Sequence, residues 1–192
     1  MCGIYGYIGK STNTSEVVLS GLKILEYRGY DSWGIAAKIN KQFLVEKRIG
    51  KIAGAKLNSK FFALNSELAI GHTRWATHGG VTQANSHPHL DCKKRIAVVH
   101  NGIVENFDVL KKELQKKGHK FLSTTDSEVI SHLIEEFLKT RGFASAVRDA
   151  FNKLQGMNAI VVANASSKEI IAAKTGSPLV IGVSSDALYV AS

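Results

Sequence analysis

The chain has 192 residues, 44% of them apolar and 21% charged, with a formal net charge of +9 and two cysteines. That length supports one domain with a stable core, while the lack of any apolar run near the roughly 20 residues that cross a bilayer argues against a membrane protein, and two cysteines are too few for a disulfide framework. The basic residues fall in short groups such as QKKGHK at 115–120, on polar helix faces and without interleaved aromatic residues, which favours a solvated basic surface over a nucleic-acid or membrane partner.

Residues 3–9 alternate in polarity and predict a strand. Residues 15–27 place Val18, Leu22 and Leu25 on one helical face, with Gly29 as a stop. WGIAAKI and QFLVEKRI read as a hairpin around a tight Asn40-Lys41 turn. A short helical stretch near 51–58 precedes two buried strands, ELAIGHT (67–73) and RIAVVHN (95–101). Asn106 is placed to cap a helix that carries Leu110 and Leu114 and stops at Gly118. TDSE at 125–128 has capping-box spacing, and its helix carries Val129, Leu133, Ile134 and Phe137. A further helix presents Ala146, Val147, Ala150, Phe151 and Leu154 up to Gly156.

Four strand-like runs close the sequence: NAIVVAN, EIIAAKT, PLVIGVS and ALYVA. Their connections are too short for helical crossovers, which predicts an antiparallel meander. Hairpin-joined strands with three longer helices imply an α+β fold of two sheets packed face to face with helices outside. The stop at Ser192, directly after a strand and without a polar tail, raises the expectation of a longer parent protein. The N-terminus lacks the basic and long apolar segments of a secretory signal, so a reducing, cytoplasmic setting is expected.

Three polar groupings stand out. Cys2-Gly3 opens the chain, GHTRWATHGG (71–80) runs from a strand into a loop, and VVHNGIVEN (98–106) is a buried strand ending in His-Asn-Gly. Loops at strand ends are where binding and catalytic groups concentrate. An Asn-Gly pair is a strong turn former; its amide and backbone N–H are equally suited to a developing oxyanion. His72, His78, His87, His89 and His100 fall in one stretch, but no HExxH, paired Cys-x-x-Cys or carboxylate at ligand spacing accompanies them. Ordering loops and bonding within the core are the expected roles, with no metal and no cofactor. Cys92, in LDCKKR, reads as incidental.

MCGIYGYIG, LEYRGYDSWG, GHTRWATHG, SHPH, VVHNGIVEN, TDSEVI and GSPLVIG, in this order and spacing, together resemble the glutaminase domain of the glucosamine-6-phosphate synthase family. These enzymes are glutamine–fructose-6-phosphate aminotransferases of the isomerising type, class II glutamine amidotransferases and N-terminal-nucleophile hydrolases. The resemblance covers residues 2–192 and makes residues 1–192 one glutaminase domain, without the family's sugar-phosphate isomerase region. It implies a four-layer α-β-β-α sandwich of mainly antiparallel sheets. It also implies L-glutamine as substrate, an isomerase domain of the same parent chain as partner, and a homodimer for the full-length enzyme. Trp33 replaces a usually small residue, and GMNA (156–159) replaces a more usual small-aromatic-small pattern. Trp33 is expected to alter packing under the 28–32 loop, and GMNA to be a structural variation away from the chemistry.

By the same resemblance, Cys2 is the nucleophile, and Asn101 with the Gly102 N–H stabilises the oxyanion. Arg74 binds the substrate carboxylate and Asp126 its ammonium, with Thr77 and His78 as further ligands. Trp75 shapes the pocket, and Arg28 and Asp31 lie in a loop that closes over it. If Met1 is removed, Cys2 supplies both a thiol and a free α-amine, a base near neutral pH. Two rivals remain: a class II amidotransferase with another acceptor, and a glutamine-binding domain without catalysis.

Overall fold

The computed structural model describes residues 2–10, 13–62 and 66–192, with the Phe62 side chain left out. Met1 lies outside the described residues. In chain order the elements are β1 (Gly3–Gly9), α1 (Thr14–Ile24), β2 (Ser32–Ile39), β3 (Gln42–Ile49), a single turn α2 (Ser59–Phe62), β4 (Leu68–Arg74), β5 (His89–Leu90) and β6 (Ile96–Gly102). There follow α3 (Phe107–Lys116), α4 (Glu128–Phe137), α5 (Phe143–Phe151), β7 (Asn158–Asn164), β8 (Glu169–Lys174), β9 (Val180–Val183) and β10 (Ala187–Ala191).

The strands form two antiparallel sheets. One has six strands in the order β3-β2-β4-β1-β10-β9, the other four in the order β5-β6-β7-β8. Side-chain alternation explains the layering. Ile96, Val98, Ile160 and Val162 face α3, α4 and α5, whereas Ala97, Val99, Val161 and Ala163 face the other sheet. On the six-stranded sheet Ile4, Ala36, Leu68 and Ile70 point inward, while Trp33, Ile35, Ala37 and Ala69 pack with Val18, Leu19 and Leu22 of α1. The central strands β6 and β7 are therefore apolar on both faces, and each fully buried Val or Ile contributes about 1.5–3 kcal/mol. The result is the four-layer α-β-β-α sandwich that the resemblance implied.

Several local expectations change. The last four strands are not one meander: β7 and β8 pair in the four-stranded sheet, and β9 and β10 pair in the six-stranded one, where β10 lies against β1. No helix forms at 51–58; that stretch is irregular and α2 follows it. α1 ends at Ile24, a 3-10 turn covers Glu26–Arg28, and Gly29 is extended at φ −167° rather than a left-handed stop. The TDSE capping box does not form. Glu128 reaches back instead to the N–H groups of Leu122 and Ser123, at 2.8 and 2.7 Å. Asn106 stands at the start of α3, but its side chain bonds Lys153 O and Gln155 N. Trp33 is buried in the cluster on the α1 side of the sheet, with the Arg48 guanidinium 5.4 Å from its ring.

Candidate active site

β1 is an interior strand, paired with β4 on one side and β10 on the other. The β1–β4 register sets Gly3 opposite Thr73, and the Gly3 N–H donates to Thr73 Oγ1 at 3.2 Å. Cys2, one residue before β1, therefore lies beside the end of β4. Its Sγ accepts the Trp75 N–H at 3.2 Å. The end of β6, from the facing sheet, brings Asn101 and Gly102 to the same place. Asn101 Nδ2 donates to Cys2 O at 2.9 Å and to Ser192 Oγ at 2.9 Å. Arg28 Nε donates to the same Cys2 carbonyl at 3.1 Å. Gly102 has φ +139°, and a Cβ there would collide with Met157 O, so only glycine fits the turn out of β6.

The loop after β4 is built around Arg74. Its guanidinium is buried and donates to three carbonyls, Gly80 O at 3.1 Å, His78 O at 2.5 Å and Gly79 O at 3.2 Å. Burial lowers its pKa, and the nearby Asp126 and Asp31 carboxylates, with Cys2 once ionised, oppose that effect. Asp126 is also buried, and its Oδ2 accepts the Val104 N–H at 2.8 Å. Asp31 Oδ2 accepts the Ala76 N–H at 2.9 Å, which ties the 28–31 loop to the 74–76 segment. Tyr30 adds a ring contact to Trp75, centroids 5.3 Å apart. Burial pushes the Cys2 thiol up from its ordinary value, against the pull of the Trp75 N–H, Arg74 and Arg28. The thiol is thus protonated at neutral pH and requires a base to become a nucleophile.

Behind Asn101 lies a stack of buried histidines. His72 Nε2–H donates to Asn101 Oδ1 at 3.1 Å and to His100 O at 3.0 Å. His72 and His87 stack at 4.1 Å, and His87 Nδ1 accepts the His100 N–H at 3.2 Å. His100 bonds Ser127 Oγ and Asn158 Oδ1, both at 2.8 Å. Burial holds these rings neutral: His72 falls to about 3, His87 and His89 fall well below their ordinary value, and His100 also falls. They order the site's polar groups, as the sequence suggested.

Two adjoining hollows contain the expected residues. One, of about 510 Å³, is lined by Cys2, Arg28, Trp75, Thr77, Asn101, Gly102 and Met157 among others. The other, of about 20 Å³, is bordered by Cys2, Arg74, Thr77, His78, Gly102 and Asp126. Every residue expected at the site borders one of them except Asp31, which instead accepts the Ala76 N–H. The sequence reading missed Ser192, whose Oγ also accepts the Ile4 N–H at 3.0 Å. It also misplaced Met157: GMNA borders the site, since Met157 lines the larger hollow and Asn158 holds His100. Among the described residues, the His, Cys and carboxylate groups close enough to hold an ion are Cys92, His119, His132 and Glu135, outside this site.

Comparison with known proteins gives a consistent picture. A family model described as a glutamine amidotransferase domain matches residues 72–192. A glutamine–fructose-6-phosphate aminotransferase (isomerizing) from Pyrococcus horikoshii is 49% identical over 194 residues, covering 100% of this chain and 32% of that protein. The same-named proteins of Thermus thermophilus and Helicobacter pylori are 46% and 47% identical, again over 100% of this chain and 32% of theirs. The chain thus spans about a third of the length of the curated relatives it matches. Among solved structures, glutamine phosphoribosylpyrophosphate amidotransferase from B. subtilis superposes with a TM-score of 0.83 at 28% identity, over 99% of this chain and 41% of that one. A glutamine aminotransferase class-II domain protein from Silicibacter pomeroyi shares the fold, with a TM-score of 0.62 at 17% identity over 99% of this chain and 88% of that one.

Proposed function

The chain belongs to the glutamine amidotransferase family, and from that premise we propose that it hydrolyses the side-chain amide of L-glutamine through a glutamyl thioester on Cys2. In the form that begins at Cys2, the α-amine takes the thiol proton, directly or through a water. The sulfur attacks the amide carbon, and the carbonyl oxygen becomes an oxyanion. Asn101 Nδ2 and the Gly102 N–H stabilise that charge. Collapse breaks the C–N bond, and the leaving nitrogen takes the proton from the α-amine and departs as ammonia. Water then attacks the thioester, its proton passing to the sulfur, and glutamate leaves.

The single observation that carries this reading is the meeting of Cys2 Sγ, the Asn101 amide and the opposite charges of Arg74 and Asp126 around two hollows that share Cys2, Thr77 and Gly102. Arg74 takes the substrate carboxylate and Asp126 its ammonium, with Thr77 and His78 completing the grip. Asn101 Nδ2 keeps its bond to Cys2 O and exchanges Ser192 Oγ for the oxyanion, so its donor count is conserved. The smaller hollow has room for a water or so. Glutamine therefore enters through the larger one, and the Thr77–Gly79 loop yields. The 28–31 loop then covers the site.

In the longer parent protein, ammonia passes to fructose-6-phosphate on a sugar-phosphate isomerase region and yields glucosamine-6-phosphate, with Trp75 at the exit. A cytoplasmic homodimer is the expected state of that enzyme. Intact-mass analysis with a glutamine-like electrophile tests the core of the reading. One adduct on Cys2, on a chain lacking Met1, supports it. A reagent that binds without labelling Cys2 points to a non-catalytic glutamine-binding domain and overturns it.

A further inference from the structure

Cys92, which the sequence left without a role, meets His119 and His132 in the structure. It sits in the turn between β5 and β6 with its side chain exposed. His119 follows Gly118, which leaves α3 with φ +89°. His132 and Glu135 are three residues apart on α4 and so share one face of that helix. The fold brings one donor atom from each residue within 4.8 Å of the others. We propose that Cys92, His119, His132 and Glu135 form a structural binding site for a tetrahedral divalent metal ion, Zn²⁺ by the chemistry of its donors.

Four of the six donor–donor distances lie within a few tenths of an ångström of those in a coordination shell, and all six are within 4.8 Å. A zinc ion with bonds of about 2.3 Å to sulfur and about 2.0–2.2 Å to nitrogen and oxygen holds its ligand atoms roughly 3.3–3.7 Å apart. Cys92 Sγ lies 3.8 Å from His119 Nδ1 and 3.6 Å from His132 Nδ1. Glu135 Oε2 lies 3.1 Å from His119 Nδ1 and 3.6 Å from His132 Nδ1. Both imidazoles turn the same nitrogen to one point, and a thiol and a carboxylate oxygen meet them there.

The outer atoms agree. With each Nδ1 lone pair on the metal, each Nε2 carries the hydrogen. His119 Nε2 faces Glu136 Oε2 at 2.9 Å, and His132 Nε2 faces Glu128 Oε1 at 3.6 Å. Carboxylates behind ligating histidines are the usual means of fixing ring orientation. His132 Nε2 is buried without a hydrogen-bond partner, and a shift of a few tenths of an ångström towards Glu128 would give it one. The charges also balance. A Cys92 thiolate and the Glu135 carboxylate offset the two positive charges of the ion, and the thiol proton leaves to solvent as the S–Zn bond forms.

The metal enters through a surface hollow of about 420 Å³ bordered by Cys92, His119, Glu135, Lys117 and Lys139. Lys93 and Arg95 also border it; Lys117 and Lys139 pair with Glu136, at 3.8 and 2.7 Å, and Arg95 lies 3.9 Å from Asp91, so these three have carboxylate partners outside the donor set. Four protein ligands leave no open coordination position, so the ion's role is structural. It clamps the β5–β6 edge of the smaller sheet to the end of α3 and to α4. The connection between those helices carries Asp126.

Chelator-treated chain, in a Cys2→Ser background that leaves one thiol, tests this with Zn²⁺ and Co²⁺ alone. One Zn²⁺ per chain, a raised melting temperature and protection of Cys92 from thiol reagents are the expected results. Co²⁺ should give the intense visible bands of tetrahedral geometry together with a thiolate charge-transfer band. Cys92→Ser should lose that band and bind Zn²⁺ at least about tenfold more weakly. Because Cys92 is exposed, the metal-free melting temperature of this variant should equal that of its parent, and Glu135→Gln provides a second measure of affinity. Unchanged zinc affinity in Cys92→Ser, or a weak octahedral cobalt spectrum without charge transfer, would overturn the assignment.

Discussion

His72 Nε2 donates to the side-chain oxygen of Asn101 at 3.1 Å, and this bond decides which way the Asn101 amide faces. With its oxygen committed to His72, the amide presents both N–H hydrogens towards Cys2 and Ser192. A donor aimed where charge develops acts mainly in the transition state. Asn101→Ala should therefore lower kcat by about 10²–10³ and leave KM for glutamine nearly unchanged. Steady-state kinetics decide it; a raised KM with intact kcat would remove Asn101 from the oxyanion role.

Arg74→Ala and Asp126→Asn should act on binding. In the proposed binding mode each loses a charge partner of the zwitterionic end of glutamine, a loss of about 1.5–3 kcal/mol that would appear as roughly ten- to hundredfold in KM. Asp126→Asn is the cleaner variant, because an amide oxygen can still accept the Val104 N–H. Arg74→Ala also frees the three carbonyls of 78–80 and should loosen that loop. If both variants kept the parental KM, the substrate's charged end would have to lie elsewhere.

The α-amine prediction concerns Met1. A peptide nitrogen carries no basic lone pair, and burial keeps the Cys2 thiol protonated. The form beginning at Cys2 should be active, and the Met1-retaining form nearly inactive. Activity of the processed form should rise with pH through roughly 7.7–8.0, the range of an unperturbed α-amine, and then level off. Equal glutaminase rates for the two purified forms would assign the base to another group.

The buried histidines predict acid sensitivity. The folded chain holds His72, His87, His89 and His100 neutral, whereas an unfolded chain protonates its histidines near pH 6.5. Below that pH the unfolded state binds more protons, so stability falls as pH falls. For His72 alone the loss proceeds at about 1.4 kcal/mol per pH unit, and it continues down to about pH 3. In His87→Asn the amide oxygen can replace Nδ1 as acceptor, so melting temperature should decline less steeply from pH 7 to 4. Parallel profiles for parent and variant would place the acid sensitivity in the carboxylates instead.

Periodicity made some of this molecule readable and left other parts closed. The β2–β3 hairpin was legible because apolar alternation flanks a turn at Asn40, which takes φ +53°. NAIVVAN was legible as a buried strand because both of its faces are apolar. The parting of β8 from β9 was not legible, since a short connection permits either a hairpin or a step to the facing sheet, and β9 is largely exposed. TDSE misled because Glu128 found nearer unpaired N–H groups at Leu122 and Ser123 than a capping box provides. The candidate site residues were singled out through ordered motifs that resemble a family's; spacing alone left Asn-Gly as an ordinary turn. Cys92 and Glu135 are far apart in sequence and on different elements, so only the packing of α4 against β5 reveals their meeting.

Chain ends ordinarily fray, and a reactive group placed there samples many positions. β1 reverses that expectation. Bonded to neighbours on both edges, it gives the residue before it the positional entropy of a sheet interior. In the form that starts at Cys2, the thiol and the amine are both held within one residue of this strand. Under the proposed mechanism little ordering remains to be done at Cys2 when substrate arrives, so the free-energy cost of reaching a reactive geometry falls on the glutamine and on the loops that receive it. Substitutions that weaken β1–β10 pairing should therefore slow the proposed acylation by loosening Cys2, even where they leave the thiol itself unchanged.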